Sequence, residues 1–100
     1  MDYITVITVT TKPGLRFKGI EHLKKIATWL NDKYGVSTEV LGNMHGQIYR
    51  NHAVSRYNSL AQMEETNAKM MADPEYLQWF EEGKELFAWS ETSQTLFQVL

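Results

Sequence analysis

The residues best suited to chemistry lie in one predicted strand, over residues 47–57. Side chains alternate between the two faces of a strand, so Arg50, His52 and Arg56 share one face. An imidazole beside guanidinium groups could hold an anion or transfer a proton. The same three residues could instead form a structural hydrogen-bond network at a strand end or a subunit interface. We favour the structural interpretation, because buried polar groups need partners whether or not they do chemistry.

The opposite face of this strand carries Tyr49, Asn51 and Tyr57. One of the two faces of this strand must pack against the helices of the domain, and the sequence does not decide which face that is. We therefore take His52, Tyr57 and Asn51 as candidate catalytic residues. The candidate ligand-binding residues of this strand are Tyr49, Arg50 and Arg56.

Two further ligand-binding candidates lie on predicted helices. Asn67 falls within an apolar stripe that includes Met63 and Met70, where an amide needs a hydrogen-bond partner. A pocket that holds a ligand or a water molecule would supply that partner, although a bond to neighbouring backbone is the simpler alternative. Trp79 could form a flat pocket wall, or it could fill the core, as aromatic residues at helical spacing usually do.

The other histidines are assigned no chemistry. His22 lies two turns from Trp29 on one flank of the first predicted helix, offset from its apolar stripe, so we expect this flank to contact another subunit. His45 falls in a predicted turn. The three histidines show no H-x-x-x-H or carboxylate spacing typical of a metal site, and we predict neither a metal nor a cofactor.

Composition excludes several classes of function. The chain has no cysteine, which excludes disulfides, thiolate catalysis and iron–sulfur ligation. It has no G-x-S-x-G motif, phosphate-binding glycine loop or dinucleotide fingerprint, so neither a hydrolase nor a nucleotide-binding protein is indicated. Residues 51–100 carry eight acidic and three basic residues, the opposite of a nucleic-acid-binding surface.

A chain of 100 residues has the size of one domain, so we predict a single domain over residues 1–100. No stretch approaches the roughly 20 apolar residues of a membrane helix. With no cysteine and no apolar leader, we expect a cytoplasmic protein without membrane or nucleic-acid partners.

Hydrophobic periodicity predicts the element order β-α-β-β-α-β. The second helix is split, because Asp73-Pro74-Glu75 supplies a cap, a proline suited to a first helical turn and an acid there. The predicted strands cover residues 3–11, 36–41, 47–57 and 94–100, and the predicted helices cover 18–34, 59–72 and 74 to just before Ser90.

This order is that of a ferredoxin-like α+β fold, in which helices cover one face of a four-stranded antiparallel sheet. The first strand is nevertheless apolar on both faces, with Ile7 and Val9 on one and Ile4 and Val6 on the other. The helices of the chain can cover only one of these faces. A closed two-fold pairing of identical sheets would bury the second, so we predict a sheet-to-sheet homodimer.

Two stretches resemble NIPSNAP-like proteins and related members of the dimeric α/β-barrel superfamily. They are R-Y-N-S-L-A-Q-M-E-E at residues 56–65 and A-D-P-E-Y at residues 72–76. The resemblance extends over essentially the whole chain and also includes the antibiotic-biosynthesis-monooxygenase-like branch. It implies two ferredoxin-like subunits packed sheet against sheet, with a small-molecule pocket between the sheet and the helices of each subunit.

We expect a homodimer that binds a small apolar or aromatic ligand, or a partner protein, between sheet and helices. The alternative is an enzyme similar to the cofactor-independent monooxygenases or heme-degrading members of the superfamily. Those relatives tend to carry a Trp where the third strand meets its helix and a His about two turns later, whereas this chain has Tyr57 and Glu65 near these positions. The departure removes the implied heme ligand, so we favour a binding protein over an oxidoreductase of the monooxygenase type.

Overall fold

A computed structural model describes residues 2–100. The elements follow the predicted order, with a short 3-10 helix before the last strand. They are β1 (Tyr3–Thr10), α1 (Arg16–Tyr34), β2 (Ser37–Gly42), β3 (Arg50–Tyr57), α2 (Leu60–Met71), α3 (Pro74–Gly83), the 3-10 helix (Trp89–Glu91) and β4 (Ser93–Gln98). No helix within these residues is both long and apolar enough to cross a membrane.

The four strands form one antiparallel sheet in the order β2-β3-β1-β4. The predicted ferredoxin-like α+β arrangement is therefore confirmed. The central strand β1 pairs with β3 through Ile7↔Ala53 and Val9↔Asn51. Because directly paired residues lie on the same face of a sheet, this register decides which row of β3 side chains points toward the helices.

The helices cover the face of β1 that carries Thr5, Ile7 and Val9. The matching row of β3 runs from Asn51 to Tyr57 at every second residue. We call the opposite surface the open sheet face. Its side chains include Glu39 and Leu41 from β2, Arg50, His52, Val54 and Arg56 from β3, Ile4, Val6, Thr8 and Thr10 from β1, and Thr95 and Phe97 from β4.

Two glycines define how α1 lies on the sheet and where it ends. A Cβ on Gly19 would lie 2.5 Å from Cγ2 of Thr11, so a larger residue would push the helix away from the end of β1. Ala27 and Leu30 are buried further along the same helix. The helix ends at Gly35, as predicted, with a φ of 65° in the left-handed region that favours glycine.

A polar cluster fixes the α2–α3 junction to the C-terminal end of α1. Asp73 caps α3 with Oδ1, which accepts from the backbone N–H of Glu75 at 2.9 Å. Its Oδ2 accepts from Nζ of Lys33 at 2.7 Å and from the hydroxyl of Tyr34 at 2.5 Å. Glu75 accepts in turn from Nε1 of Trp29 at 2.7 Å. The predicted split of the second helix at this point is confirmed.

The helix α3 is shorter than predicted. It ends at Gly83 rather than just before Ser90, so Phe87 lies beyond the helix instead of within it. The cause is tertiary, because the following segment pairs with the chain beyond β1. The backbone N–H of Lys12 donates to the carbonyl oxygen of Leu86 at 3.0 Å. Backbone pairing of this kind outweighs the helical periodicity of the sequence.

Candidate functional site

A cavity of ≈ 460 Å³ lies between the sheet and the helices. Its floor is the covered face of β1 and β3, and its walls come from α1, α2, α3 and the segment that leads into β4. Small-molecule sites in proteins typically have volumes of roughly 300–1,000 Å³. The interior of this subunit therefore has room for a ligand where a close-packed core would otherwise be expected.

The cavity walls that the structure describes are mainly apolar and contain no carboxylate, ammonium or guanidinium group. Ile7 from β1, Ile26 from α1, Met70 from α2 and Trp79 from α3 all contribute. Within residues 2–100, none of the lining side chains is Asp, Glu, Lys or Arg. An ionised group on a ligand would lose its hydration on entering the cavity and would meet no Asp, Glu, Lys or Arg side chain among the described residues there. Such a transfer is costly in free energy. The cavity therefore suits an uncharged molecule.

Several polar groups at the cavity have no hydrogen-bond partner in the described part of the chain. Among them are the hydroxyl of Thr5, the phenols of Tyr57 and Tyr76, and the amide of Asn67. Thr5 and Tyr57 are only 4% and 5% exposed, so bulk water reaches them little. Because buried polar groups almost always have partners, these groups are the natural contacts of a ligand or of ordered water.

The two tyrosines act as hydrogen-bond donors. Burial raises the pKa of Tyr57 above its ordinary value of 10.0, and the nearby phenol of Tyr76 raises it further. Burial likewise raises the pKa of Tyr76. Both phenols therefore keep their protons at neutral pH, and each can donate one hydrogen bond to a bound molecule.

Three of the residues singled out from the sequence meet at this cavity. Tyr57 comes from the end of β3, Asn67 from the middle of α2 and Trp79 from α3. Together they offer a donor, an amide that can donate or accept, and a flat apolar surface. Their predicted roles in binding or catalysis remain predictions.

His52 lies on the open sheet face, away from the cavity. Its Nε2 donates to Oδ1 of Asn43 at 2.8 Å, and its Nδ1 accepts from the hydroxyl of Thr8 at 2.9 Å. The orientation of the Asn43 amide follows from its Nδ2, which donates to the carbonyl oxygen of Gln47 at 2.9 Å. Both ring nitrogens of His52 are used to tie the β2–β3 loop to β1.

The arginines and Tyr49 also lie outside the cavity lining. Arg50 and Arg56 are exposed on the open sheet face, where Arg56 forms an ion pair with Asp2 at 2.8 Å. The third strand begins at Arg50 rather than at residue 47, so Tyr49 precedes it. The backbone carbonyl of Tyr49 accepts from the N–H of Thr11 at 2.8 Å. The structure thus separates these residues from Tyr57.

Asn51 lies on the covered face of β3 but outside the cavity lining. Its side chain is fully buried and donates from Nδ2 to the carbonyl oxygen of Tyr49 at 3.2 Å. Its Oδ1 has no hydrogen-bond partner in the described part of the chain. Of the six residues singled out on the third strand, Tyr57 is the one that reaches the cavity.

Sequence reasoning does not anticipate His22 at the cavity. This residue, expected to face another subunit, packs against α3 of its own chain, with Nε2 2.8 Å from the carbonyl oxygen of Trp79. A Cβ on Gly83 would lie 2.5 Å from the same Nε2, so the ring occupies space that only glycine leaves. The available signal was Gly83 inside a predicted helix, because a glycine there costs helix stability and tends to have a packing reason.

Few groups at the cavity could ligate a metal or a cofactor. No cluster of three or more His, Asp or Glu side chains converges in the manner of a metal site anywhere in residues 2–100. His22 is the one imidazole among the described lining residues, and no carboxylate accompanies it. The chemistry that the cavity offers is hydrogen bonding combined with flat apolar contact.

Solved structures share this fold over nearly its whole length. An uncharacterized NIPSNAP domain protein from Burkholderia xenovorans superposes with a TM-score of 0.84 at 8% sequence identity, covering 98% of this chain and 94% of that one. A proposed antibiotic biosynthesis monooxygenase from Nitrosomonas europaea superposes with a TM-score of 0.77 at 13% identity, covering 99% of this chain and 90% of that one. A second proposed antibiotic biosynthesis monooxygenase, from Deinococcus radiodurans, gives 0.75 at 16% identity, with coverage of 98% and 92%.

The resemblance to NIPSNAP-like and antibiotic-biosynthesis-monooxygenase-like proteins is therefore confirmed at the level of the fold. No protein-family model matches the sequence, and no curated protein matches it. Proteins that share a fold often differ in activity, so function has to be argued from the cavity and its side chains.

Proposed function

We propose that this protein is a homodimer that binds a small, uncharged apolar or aromatic molecule in the cavity between its sheet and its helices. The proposal depends chiefly on one observation, a cavity without Asp, Glu, Lys or Arg side chains among its described residues, in which the Tyr57 hydroxyl and the Asn67 amide lack protein partners. A buried polar group without a partner costs about 1–3 kcal/mol. A ligand that bonds to these groups would recover part of that cost, while its apolar body would exclude water.

The ring systems at the cavity support an aromatic ligand. Phe80 and Trp89 stack with their centroids 4.8 Å apart and their planes at 24°, and both line the cavity together with Trp79. Met70 adds a flexible thioether wall that adapts to irregular shapes. Flat ligands that stack on such surfaces gain both apolar burial and favourable ring geometry.

The open sheet face supports the homodimer. Leu41 and Phe97 on this face are 48% and 50% exposed, and no residue of β4 is buried. Leu96, on the other face of β4, is also 47% exposed. A second copy that packs by two-fold symmetry would cover this face with the same face of its own sheet, because such an interface is self-complementary.

Two matched fluorescent probes test the binding proposal. N-phenyl-1-naphthylamine and 8-anilinonaphthalene-1-sulfonate share the same ring system, and only the second is charged. We expect a saturable rise in emission with the neutral probe, at one molecule per chain, and binding of the sulfonate that is weaker by about tenfold or more. Equal affinity for both probes, or no saturation with the neutral one, would contradict the proposal.

A pair of tryptophan substitutions locates the probe. Ala53 lies on the cavity floor, so Ala53→Trp should fill part of the space and abolish binding of the neutral probe. Ala68→Trp places the same side chain on the exposed side of α2 and should leave binding unchanged. Circular dichroism of both variants checks that they fold. If the folded Ala53→Trp protein kept full affinity, the probe would have to bind elsewhere.

A monooxygenase-type enzyme is the second candidate, and the structures named as proposed antibiotic biosynthesis monooxygenases favour it. Tyr57, near the position of the family Trp, lines the cavity, whereas Glu65, near the position of the family His, is exposed and pairs with Lys69 at 3.1 Å. Oxygen uptake with a panel of quinols and polyphenols, and absorbance during heme titration, test this candidate. A flat response throughout would exclude it.

A further inference from the structure

His22 places an imidazole of defined tautomer at the cavity wall. Its Nε2 lies 2.8 Å from the backbone carbonyl oxygen of Trp79. A carbonyl oxygen can only accept a hydrogen bond, so Nε2 must carry the proton. In the neutral ring, Nδ1 is then an unprotonated acceptor. No described residue donates a hydrogen bond to it.

The packing of the His22 ring determines which way Nδ1 faces. A Cβ on Gly83 would meet Nε2 at 2.5 Å and Cδ2 at 2.7 Å, so the edge formed by these two atoms faces α3. Nδ1 is the ring atom opposite that edge. The ring also meets the Trp79 indole edge to face, with centroids 5.6 Å apart, and lies 6.4 Å from the ring of Phe87. These contacts hold the acceptor in place before a ligand arrives, which lowers the cost of binding.

His22 is the one Brønsted base among the described side chains that line the cavity. The phenols of Tyr57 and Tyr76 keep their protons and act chiefly as donors. Thr5 and Asn67 can donate or accept. A ligand that only accepts hydrogen bonds would leave Nδ1 unused, whereas a ligand that also donates would engage both kinds of group.

We propose that Nδ1 of His22 accepts a hydrogen bond from the bound molecule, and that the preferred ligands are therefore uncharged ring compounds that carry an O–H or N–H donor. The inference rests on the binding function proposed for the same cavity. It assigns a recognition role to His22 and a chemical class to the ligand, and it requires no covalent or redox step.

Two naphthalene derivatives test this role. 2-Naphthol carries the donor, and 2-methoxynaphthalene has the same ring with the hydrogen replaced by a methyl group. For the unmodified protein we expect 2-naphthol to bind about fivefold more tightly than 2-methoxynaphthalene, which is the gain in affinity expected from one typical hydrogen bond. In His22→Gln, the new amide N–H can still reach the Trp79 carbonyl. Its Oε1 then lies on the Cδ2 side of the former ring, next to Gly83, so no acceptor takes the place of Nδ1. The preference should vanish there, because 2-naphthol loses the affinity that this hydrogen bond contributes.

The possible results separate the two proposals. If neither compound binds the unmodified protein, the binding function and the role of His22 both fail. If both compounds bind it equally well, or if His22→Gln keeps the preference, the cavity still binds ligands and only the role of His22 is overturned. A measurement without a variant uses ¹⁵N-histidine-labelled protein, in which the Nδ1 resonance of His22 should shift with 2-naphthol and stay in place with 2-methoxynaphthalene. An unshifted resonance with bound 2-naphthol would also overturn the role.

Discussion

Nζ of Lys33 lies 2.7 Å from Oδ2 of Asp73, and this ion pair joins the last turn of α1 to the start of α3. The Asp73 side chain is 6% exposed and the Lys33 side chain 38%, so the carboxylate is shielded although the ammonium is not. The hydroxyl of Tyr34 shares the same carboxylate oxygen. Loss of Asp73 would therefore remove a helix cap and leave the Tyr34 hydroxyl without its acceptor, while Lys33 would keep its ion pair with Glu75 at 3.1 Å.

Replacing Asp73 should destabilise the fold more than replacing another aspartate on these helices. We expect Asp73→Ala to lower Tm by about 4–8 °C, because a lost N-cap alone is worth that much in a domain of this size. Asp73→Asn keeps an oxygen that can cap α3 and should lower Tm less. Asp32→Ala, at an exposed position on α1, is the matched control and should change Tm little. Equal Tm values for Asp73→Ala and Asp32→Ala would show that the junction contributes nothing to stability.

The same cluster predicts how stability depends on pH. Hydrogen bonds from Lys33 and, with a smaller effect, from Tyr34 hold the pKa of Asp73 below its ordinary value of 3.8. The folded protein then binds this proton less tightly than the unfolded chain, so the stabilisation is present above the ordinary pKa and is lost as pH falls through the folded-state pKa. Hydrogen bonds from Trp29 and, with a smaller effect, from Lys33 likewise lower the pKa of Glu75 from its ordinary value of 4.5.

We therefore expect the urea midpoint to fall when the pH drops below about 4, and to fall less steeply in Asp73→Asn than in the unmodified protein. Urea denaturation at a series of pH values between about 2.5 and 6 measures both curves. Parallel curves for the two proteins would mean that the Asp73 carboxylate has the same pKa in both states.

His52 should matter for stability and not for ligand binding. His52→Ala removes two hydrogen bonds that tie the β2–β3 loop to β1, and we expect a loss of about 1–2 kcal/mol in the free energy of unfolding. Because His52 lies on the open sheet face, binding of N-phenyl-1-naphthylamine should be unchanged. His45→Ala, in the exposed part of the same loop, is the control and should be close to neutral. Loss of probe binding in a folded His52→Ala protein would contradict the placement of the site.

Gly83→Ala should destabilise the protein although alanine favours helices. The added Cβ would lie 2.5 Å from Nε2 of His22, and we expect a cost of about 1–3 kcal/mol from the resulting overpacking. In a His22→Ala background the same change should be neutral or stabilising by up to about 1 kcal/mol. Chemical denaturation of the four proteins gives the coupling energy directly. Additive effects would show that the two residues do not press against each other.

The proposed homodimer predicts a specific effect of charge on the open sheet face. Phe97→Glu should convert the dimer to a monomer, because two copies of the carboxylate would be buried at a two-fold interface. Phe17→Glu is the matched control, since Phe17 is 78% exposed on α1 and lies away from the sheet. Light scattering at micromolar concentration distinguishes the two outcomes. A monomeric unmodified protein would rule out the interface before any variant is made.

The element order follows from local patterns that act within a few residues, and for that reason the sequence predicts it well. Asp73-Pro74 and Gly35 are examples, because a cap, a first-turn proline and a left-handed glycine act on their immediate neighbours. The end of α3 could not be predicted in the same way. It depends on backbone pairing between the chain after Gly83 and the chain beyond β1, which are far apart in sequence.

The cavity was only partly accessible to sequence reasoning. Asn67 could be singled out because an amide within an apolar helical stripe needs a partner. The choice between the two rows of β3 could not be made, since both contain polar and aromatic side chains, and only the register with β1 decides it. His22 was expected at a subunit contact rather than at the cavity, because its position depends on the missing side chain at Gly83 on another helix.

The pairing of β1 with β4 also has a consequence for how the chain folds. Ile4 pairs with Phe97, and the β1–β4 pairs run from Tyr3 with Gln98 to Thr8 with Ser93, so one side of β1 is completed by residues 85 to 95 positions away. Contacts of such large sequence separation are slow to form, because a long loop must close before they are made. Until β4 docks, β1 presents an unpaired edge that other chains could extend. We therefore expect productive folding and aggregation to compete until β4 docks on β1.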